Sequence, residues 1–427
     1  MDTPLNCISE YKQHEINIHE ERVGVISNAR IVWADHKKIM RDFPQLFPAY
    51  SENACPSIIY AWLKHHCAVI SLPQIQWLQA QQFTLHVSDY RKAYRPPRYG
   101  RALVLQNSDY PFFYQGNLID NNSYLLDVKG VGVGPNKQPA YKWHQNGLLH
   151  LHVAIKEVIM QGLIEKIFEQ EQLNVKGVPV YAILDLGFST RDRIDGFSKF
   201  KTEHTARASV LVRKAHIRPP GNIELPNDNS ELQQVYLAVE LALRQYGLTS
   251  TGSGTRLKIT NDRTLICEYA GQCLKNLDQQ RVLNFFQGLD INIPAVFDAV
   301  NIQATRFSNN LPLDVRLIDF GHYTIKPQFD NPLLSLVNDR YLNWGGCIYP
   351  GDQYWVDVRP NKALNFAKAG LQRVPDEIGK HLGLEHDSQL IGVDITAAEI
   401  AQHVEKGLVT IADVEQMMDD FIDKLFH

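Results

Sequence analysis

Long apolar runs are missing from this chain. Nowhere among its 427 residues does an uninterrupted apolar stretch approach the roughly 20 residues that a membrane span needs. The start, MDTPLNCISEYKQHE, is polar and lacks the apolar core of a secretory leader. Cysteine is sparse: Cys7, Cys55, Cys67, Cys267, Cys273 and Cys347 are scattered and include no Cys-x-x-Cys pair, so zinc and thioredoxin-like chemistry lack support. A reducing, cytoplasmic compartment is the simplest expectation. Neither sign of charge dominates. Lys and Arg number 43 against 47 Asp and Glu, a net −4, so bulk charge gives no case for nucleic acid or an anionic membrane as partner. Repeats and low-complexity segments are absent. The run Thr251-Gly252-Ser253-Gly254-Thr255 has no lysine after it and so is no P-loop.

What is present is ordinary for a globular protein: 44% hydrophobic and 21% charged residues, in a chain long enough for more than one core. Ser123-Tyr-Leu-Leu-Asp-Val-Lys129 alternates as a strand. The spacing of Leu148, Leu151, Ile155, Ile159, Leu163 and Ile167 predicts a long helix over 147–171. Two strands follow, at 177–188 and 208–214. Strand, long helix, strand, strand is the order of a protein-kinase small lobe around its regulatory helix. The polar stretch 216–230 is a plausible hinge. Helical patterns occupy 231–247 and 263–288, and Thr410 with Asp413 caps a final helix whose apolar stripe is expected to pack on the body, a partner-binding helix being the alternative. The expected fold is α+β and bilobal, kinase-like. Residues 1–215 would hold an N-terminal extension and a β-rich small lobe; 216–427 would hold the hinge and a mainly helical large lobe.

The tripeptide Asp319-Phe320-Gly321 ends the apolar run Val315-Arg316-Leu317-Ile318. A carboxylate leaving a strand into a glycine turn is how kinases hold Mg²⁺ against ATP phosphates. Upstream, separated from Asp319 by eight residues, lies Asn310, in Ser308-Asn309-Asn310. A short hairpin between them would bring its amide oxygen and the Asp319 carboxylate onto one hard cation; the alternative is an asparagine turn. Lys129 leads into Gly130-Val131-Gly132-Val133-Gly134, where a cation can meet phosphates and glycines permit close approach. The alternative is an exposed lysine before a loop. Glu157 falls on the helix stripe of Val153, Met160 and Ile164. A carboxylate there calls for a cation, with Lys129 the natural partner, although local pairing with Lys156 would also serve. Arg213 and Arg218 flank a segment that can clamp a polyphosphate, or they are solvated hinge arginines. The basic and aromatic stretch Arg91 to Arg101 reads as a solvated or phosphate-covering loop, and His144, His150 and His152 as a minor metal candidate.

Taken together these residues resemble the selenoprotein O family of protein adenylyltransferases, which have a pseudokinase fold. The similar phrases are Val128-Lys129-Gly130-Val131-Gly132, Lys156-Glu157, Gly177-Val178-Pro179, Arg213 with Ala215-His216-Ile217-Arg218, Asn309-Asn310 and Asp319-Phe320-Gly321. Asn28-Ala29-Arg30 with Trp33 is similar to a further phrase near the N-terminus. The resemblance spans about residues 27–325 as short islands. It implies ATP bound in inverted orientation with Mg²⁺, and AMP transfer to a hydroxyl on a protein, peptide or small-molecule acceptor. Lys129, Gly130, Gly132, Arg213 and Arg218 would bind the nucleotide, Asn310 and Asp319 the metal, with Glu157 and Asn309 in catalytic positions. Asn309 stands where the family has aspartate, and an amide cannot take a proton as a carboxylate does. Three other readings stay open: a phosphotransferase, an adenylation-dependent ligase, and an inactive nucleotide-binding scaffold. The oligomeric state is not legible.

Overall fold

The computed structural model describes residues 7–9, 12, 18–44, 56–96, 99–119, 124–134, 137–140, 146–170, 177–192, 204–216, 320, 371–384 and 389–426, with short strands at 256–259, 265–269, 272–273, 302–303 and 324–325. The elements, in chain order, are β1 (His19–Ile26), β2 (Arg30–Ala34), α1 (His36–Asp42), α2 (Pro56–Cys67), β3 (Val69–Ser71), α3 (Leu72–Ala80), β4 (Val87–Arg95), β5 (Ala102–Gln106), β6 (Phe113–Tyr114), β7 (Asn117–Leu118), β8 (Leu125–Lys129), β9 (Leu149–His150), α4 (Leu151–Gln170), β10 (Val180–Asp192), β11 (His204–Lys214), α5 (Asp376–Leu382), α6 (Gly392–Glu405) and α7 (Ile411–Phe426).

The fold is mixed α and β around a large antiparallel sheet of order β2-β10-β11-β8-β5-β4-β1-β3, with β9 added beside β11. Strand β8 is central. Val128 pairs with Leu103 on one side and with Val212 on the other. Successive side chains of a strand point to opposite faces, and β8 uses this fully. Leu126 and Val128 enter the main apolar cluster with Trp62, Leu63, Val210 and Val212. Leu125, Asp127 and Lys129 occupy the other face, which looks toward α4. That helix starts at once after β9, so the chain passes from the sheet onto its face without a long loop.

The C-terminal helices cover α4 from outside: α6 packs along it, and α7 packs on both α4 and β2. The start of α7 is a reciprocal cap. Thr410 N donates to Asp413 Oδ2 at 2.8 Å, and Asp413 N donates to Thr410 Oγ1 at 3.2 Å. This satisfies amides that have no intrahelical acceptor. The Thr410 amide also holds the Asp413 carboxyl below its ordinary range. Val414, Met418 and Leu425 are buried on the helix's inner stripe. No helix among the described residues is long and apolar enough to cross a membrane.

Within 263–288, where helical spacing was expected, Leu265–Tyr269 pairs instead with Arg256–Ile259, and Gln272–Cys273 adds a third strand. The sequence reason is local. Asn261-Asp262 is a turn signal between two runs that alternate well enough for strands, and a turn outweighs a weak helical period. The expected hinge at 216–230, apart from its first residue His216, and the helix at 231–247 lie outside the described residues.

Candidate functional site

Strand alternation places Asp127 and Lys129 side by side on the α4 face of β8. Both are buried, and each meets an opposite charge. Lys129 Nζ lies 2.6 Å from Glu157 Oε2, joining the central strand to the first half of α4. Arg213, the last residue but one of β11, puts Nε 2.7 Å from Asp127 Oδ1 and Nη1 3.4 Å from Glu157 Oε1. The four side chains form one network of two cations and two carboxylates, each residue at most 5% exposed. A buried carboxylate without such partners would cost several kcal/mol. Glu157 on the apolar stripe is thereby accounted for, and Lys156 is not its partner: Lys156 turns the other way, to Asp394 at 2.8 Å.

Asp127 escaped the sequence reading. Its signal was present: a carboxylate two residues before a buried lysine must share that lysine's face. Its partner was not legible, because the cross-strand register of β8 with β11, Asp127 opposite Arg213, is a tertiary fact.

The glycine turn after Lys129 has a different role from the one expected. Gly130 and Gly132 have φ of 100° and 112°, which favour glycine. A Cβ on Gly130 would come within 2.6 Å of Leu149 Cβ and of the Ser209 carbonyl; one on Gly132 would meet Ser71 Oγ and Gln74 Cβ at 2.5 and 2.6 Å. The amides are engaged too. Gly130 N and Val131 N donate to Arg101 O at 2.7 and 3.2 Å, and Gly132 N to Gly147 O at 2.9 Å. The close approach that glycine allows is used by protein backbone and side chains, so these amides are not the ones to cradle a phosphate.

The hairpin joining β4 to β5 lies against this turn. Arg95, buried and paired with Glu21 at 2.7 Å, sends Nη1 to the carbonyls of Ala102 at 3.0 Å and Gly132 at 3.2 Å. Tyr99, near the hairpin tip, donates its hydroxyl to the carbonyl of His216 at 2.5 Å, just past β11. The described part of the basic and aromatic stretch is therefore part strand and part tightly bonded turn. Described cations of the stretch are engaged as well: Lys92 pairs with Glu20 at 2.7 Å, and Arg91 Nη1 donates to His65 O at 2.6 Å. Arg30 of the Asn28-Ala29-Arg30 phrase binds Asp185 at 2.7 Å at the start of β2, and Trp33 is buried.

Phe320 is buried, at 1% exposure. Asn309, Asn310, Asp319 and Arg218 lie outside the described residues. His150 and His152 stand 5.6 Å apart, ring to ring, and His144 lies outside. Among the described residues no group of three His, Cys, Asp or Glu side chains could hold a metal ion. Compared with protein-family models and with curated proteins, the chain matches none.

Proposed function

We propose that this chain is an ATP- and Mg²⁺-dependent adenylyltransferase of pseudokinase type, similar to the selenoprotein O family. It would move AMP to a hydroxyl on a protein or peptide. The observation that carries the reading is the buried Lys129–Glu157 contact of 2.6 Å between a central strand and the helix laid over it. Protein kinases place such a pair on the third strand of the small lobe and its regulatory helix. The chain order β8, α4, β10, β11 supports the same reading, as does the β4–β5 hairpin beside β8, where kinases carry the loop that covers phosphates.

In this reading Lys129 contacts nucleotide phosphates and Glu157 holds it in place. Arg213 orients Glu157 and Asp127 from beneath, and Arg218 is left as the partner for the polyphosphate. The described network balances its own charge, so a triphosphate brings negative charge that it does not offset. A divalent cation fits that need. Asn310 and Asp319 offer hard oxygens of the kind Mg²⁺ prefers, and the bound metal would screen the phosphates. Phosphoryl-type transfer depends mainly on positioning and charge stabilisation, so asparagine at 309 is compatible with turnover.

The test is incubation of the purified chain with Mg²⁺ and ATP labelled at the α- or the γ-phosphate, following both protein labelling and released product. Label from the α-position on protein, with pyrophosphate released, is the expected result. Transfer of γ-label would make it a phosphotransferase. AMP release that requires an added amine would make it a ligase, and binding without any product would make it a scaffold.

A further inference from the structure

Helix α4 makes two buried ion pairs from adjacent residues. Glu157 faces the sheet. Lys156, one position earlier and about 100° around the helix axis, faces away and meets Asp394 Oδ1 of α6 at 2.8 Å, with side-chain exposures of only 5% and 16%. Asp394 sits in the first turn of α6, where the helix dipole favours a carboxylate. The other end of α6 is tied to the sheet. Arg30 Nη2 donates to Val404 O at 2.9 Å, a carbonyl in the last turn of the helix that also accepts from Gly407 N at 3.0 Å. The same guanidinium holds Asp185 through Nε at 2.7 Å, and Asp185 also accepts from Arg207 at 2.9 Å. Helix α6 is thus a strut. One end is fixed to α4 and the other to the β2–β10 edge of the sheet. A rotation of α4 that carried Glu157 off Lys129 would also pull Lys156 off Asp394.

We infer that α6 sets the orientation of α4, with Asp394 acting through Lys156 as a positioning residue for the Lys129–Glu157 pair. The consequence for nucleotide rests on the reading of Lys129 as a phosphate-binding group. Loosening α6, by a partner or by a modification near its first turn, would then weaken phosphate binding from outside the site.

The test uses the full chain with Asp394→Asn. Hydrogen exchange is followed over residues 151–163, and MgATP affinity by calorimetry. Exchange in this stretch is expected to quicken and MgATP affinity to weaken, each by about tenfold, within the usual range of coupling between sites. Added to Glu157→Gln, Asp394→Asn should weaken MgATP binding no further, because the inferred route from Asp394 to the nucleotide runs through Glu157. Unchanged exchange in α4 overturns the inference, and so does a full additive loss in the double variant. If Asp394→Asn does not fold, Lys156→Met keeps the apolar stem and asks the same question. If the unaltered chain binds no MgATP, the functional reading fails, and the exchange rates alone decide the strut: faster exchange supports it, no change overturns it.

Discussion

Asp127 and Lys129 are neighbours on one face of β8 yet bind different partners, Arg213 at 2.7 Å and Glu157 at 2.6 Å. The circuit closes because Arg213 also reaches Glu157, at 3.4 Å. A strand, a second strand and a helix are therefore joined by charge in a largely buried place. In such a setting the net worth of a pair is small, but the cost of breaking it is large.

Removing one member should expose that asymmetry. Lys129→Met or Glu157→Leu is each expected to cost about 3–5 kcal/mol of folding stability. The double variant should cost clearly less than their sum, since no charge of that pair is then stranded. Urea unfolding of the three variants provides the cycle. Strict additivity would mean that the two groups do not act on each other.

Arginine at 213 is required for its shape. Its Nε and Nη1 serve two carboxylates at once, which one ammonium cannot reproduce. Arg213→Lys is expected to lose one charged hydrogen bond, worth about 2 kcal/mol. It should also broaden the NMR signals of α4. A lysine variant as stable as the parent would show that the second contact carries nothing.

The strands around Lys129 and the helix bearing Glu157 were legible because each buries one face, and burial writes a period into the sequence. The structure starts α4 at Leu151 rather than 147, since Leu149 and His150 pair with β11 first. Glu157 itself stood out as a carboxylate on an apolar stripe. The remaining partners were hidden for one reason: Asp127–Arg213, Lys156–Asp394 and Arg30–Val404 join residues far apart in sequence, and no local pattern reports which strand or helix lies alongside. The glycines misled differently. Gly130 and Gly132 announce close approach but not by what, and here the visitor is the protein itself.

Acid should weaken the fold through α2. His66 is buried beside His65, Trp62 and Phe112, and burial foremost, then His65 and Arg91, hold its pKa well below the ordinary 6.5. The unfolded chain therefore binds the proton more readily. Stability from this group is complete above 6.5 and is lost as pH falls toward the folded-state value. His65, lowered by burial and by Arg91, adds in the same direction. The slope from His66 alone is at most about 1.4 kcal/mol per pH unit. Urea midpoints at about pH 7.5 and about pH 5.5 should differ less in His66→Gln than in the parent. An equal difference in both would remove His66 from the account.

Removal of divalent cations should weaken ATP binding by more than screening explains, since the charge-balanced network has no surplus cation to offer. Asp319→Ala is expected to abolish the metal-dependent part and leave the remainder. Calorimetry in Mg²⁺ and in chelator makes the comparison. Equal affinities under the two conditions would contradict the metal assignment at Asp319.

The glycine turn gives a test that is independent of any ligand. Gly130 combines φ of 100° with a Cβ position 2.6 Å from the Ser209 carbonyl, an atom fixed in the β11 ladder. Neither strain nor clash can relax without moving a strand, so Gly130→Ala is expected to cost more than about 2 kcal/mol, the clash adding to the φ strain. Gly134 lies in the same turn without a positive φ, and its nearest neighbour is Arg95 Cδ at 3.4 Å, an ordinary contact. Gly134→Ala should be neutral, or stabilising by up to about 1 kcal/mol, by restricting the unfolded chain. Thermal unfolding of the two variants side by side decides the matter. Comparable losses at both positions would mean that the turn is sensitive as a whole. A large loss at 130 with none at 134 would assign the sensitivity to the contact with β11, and through it to the strand that positions Arg213.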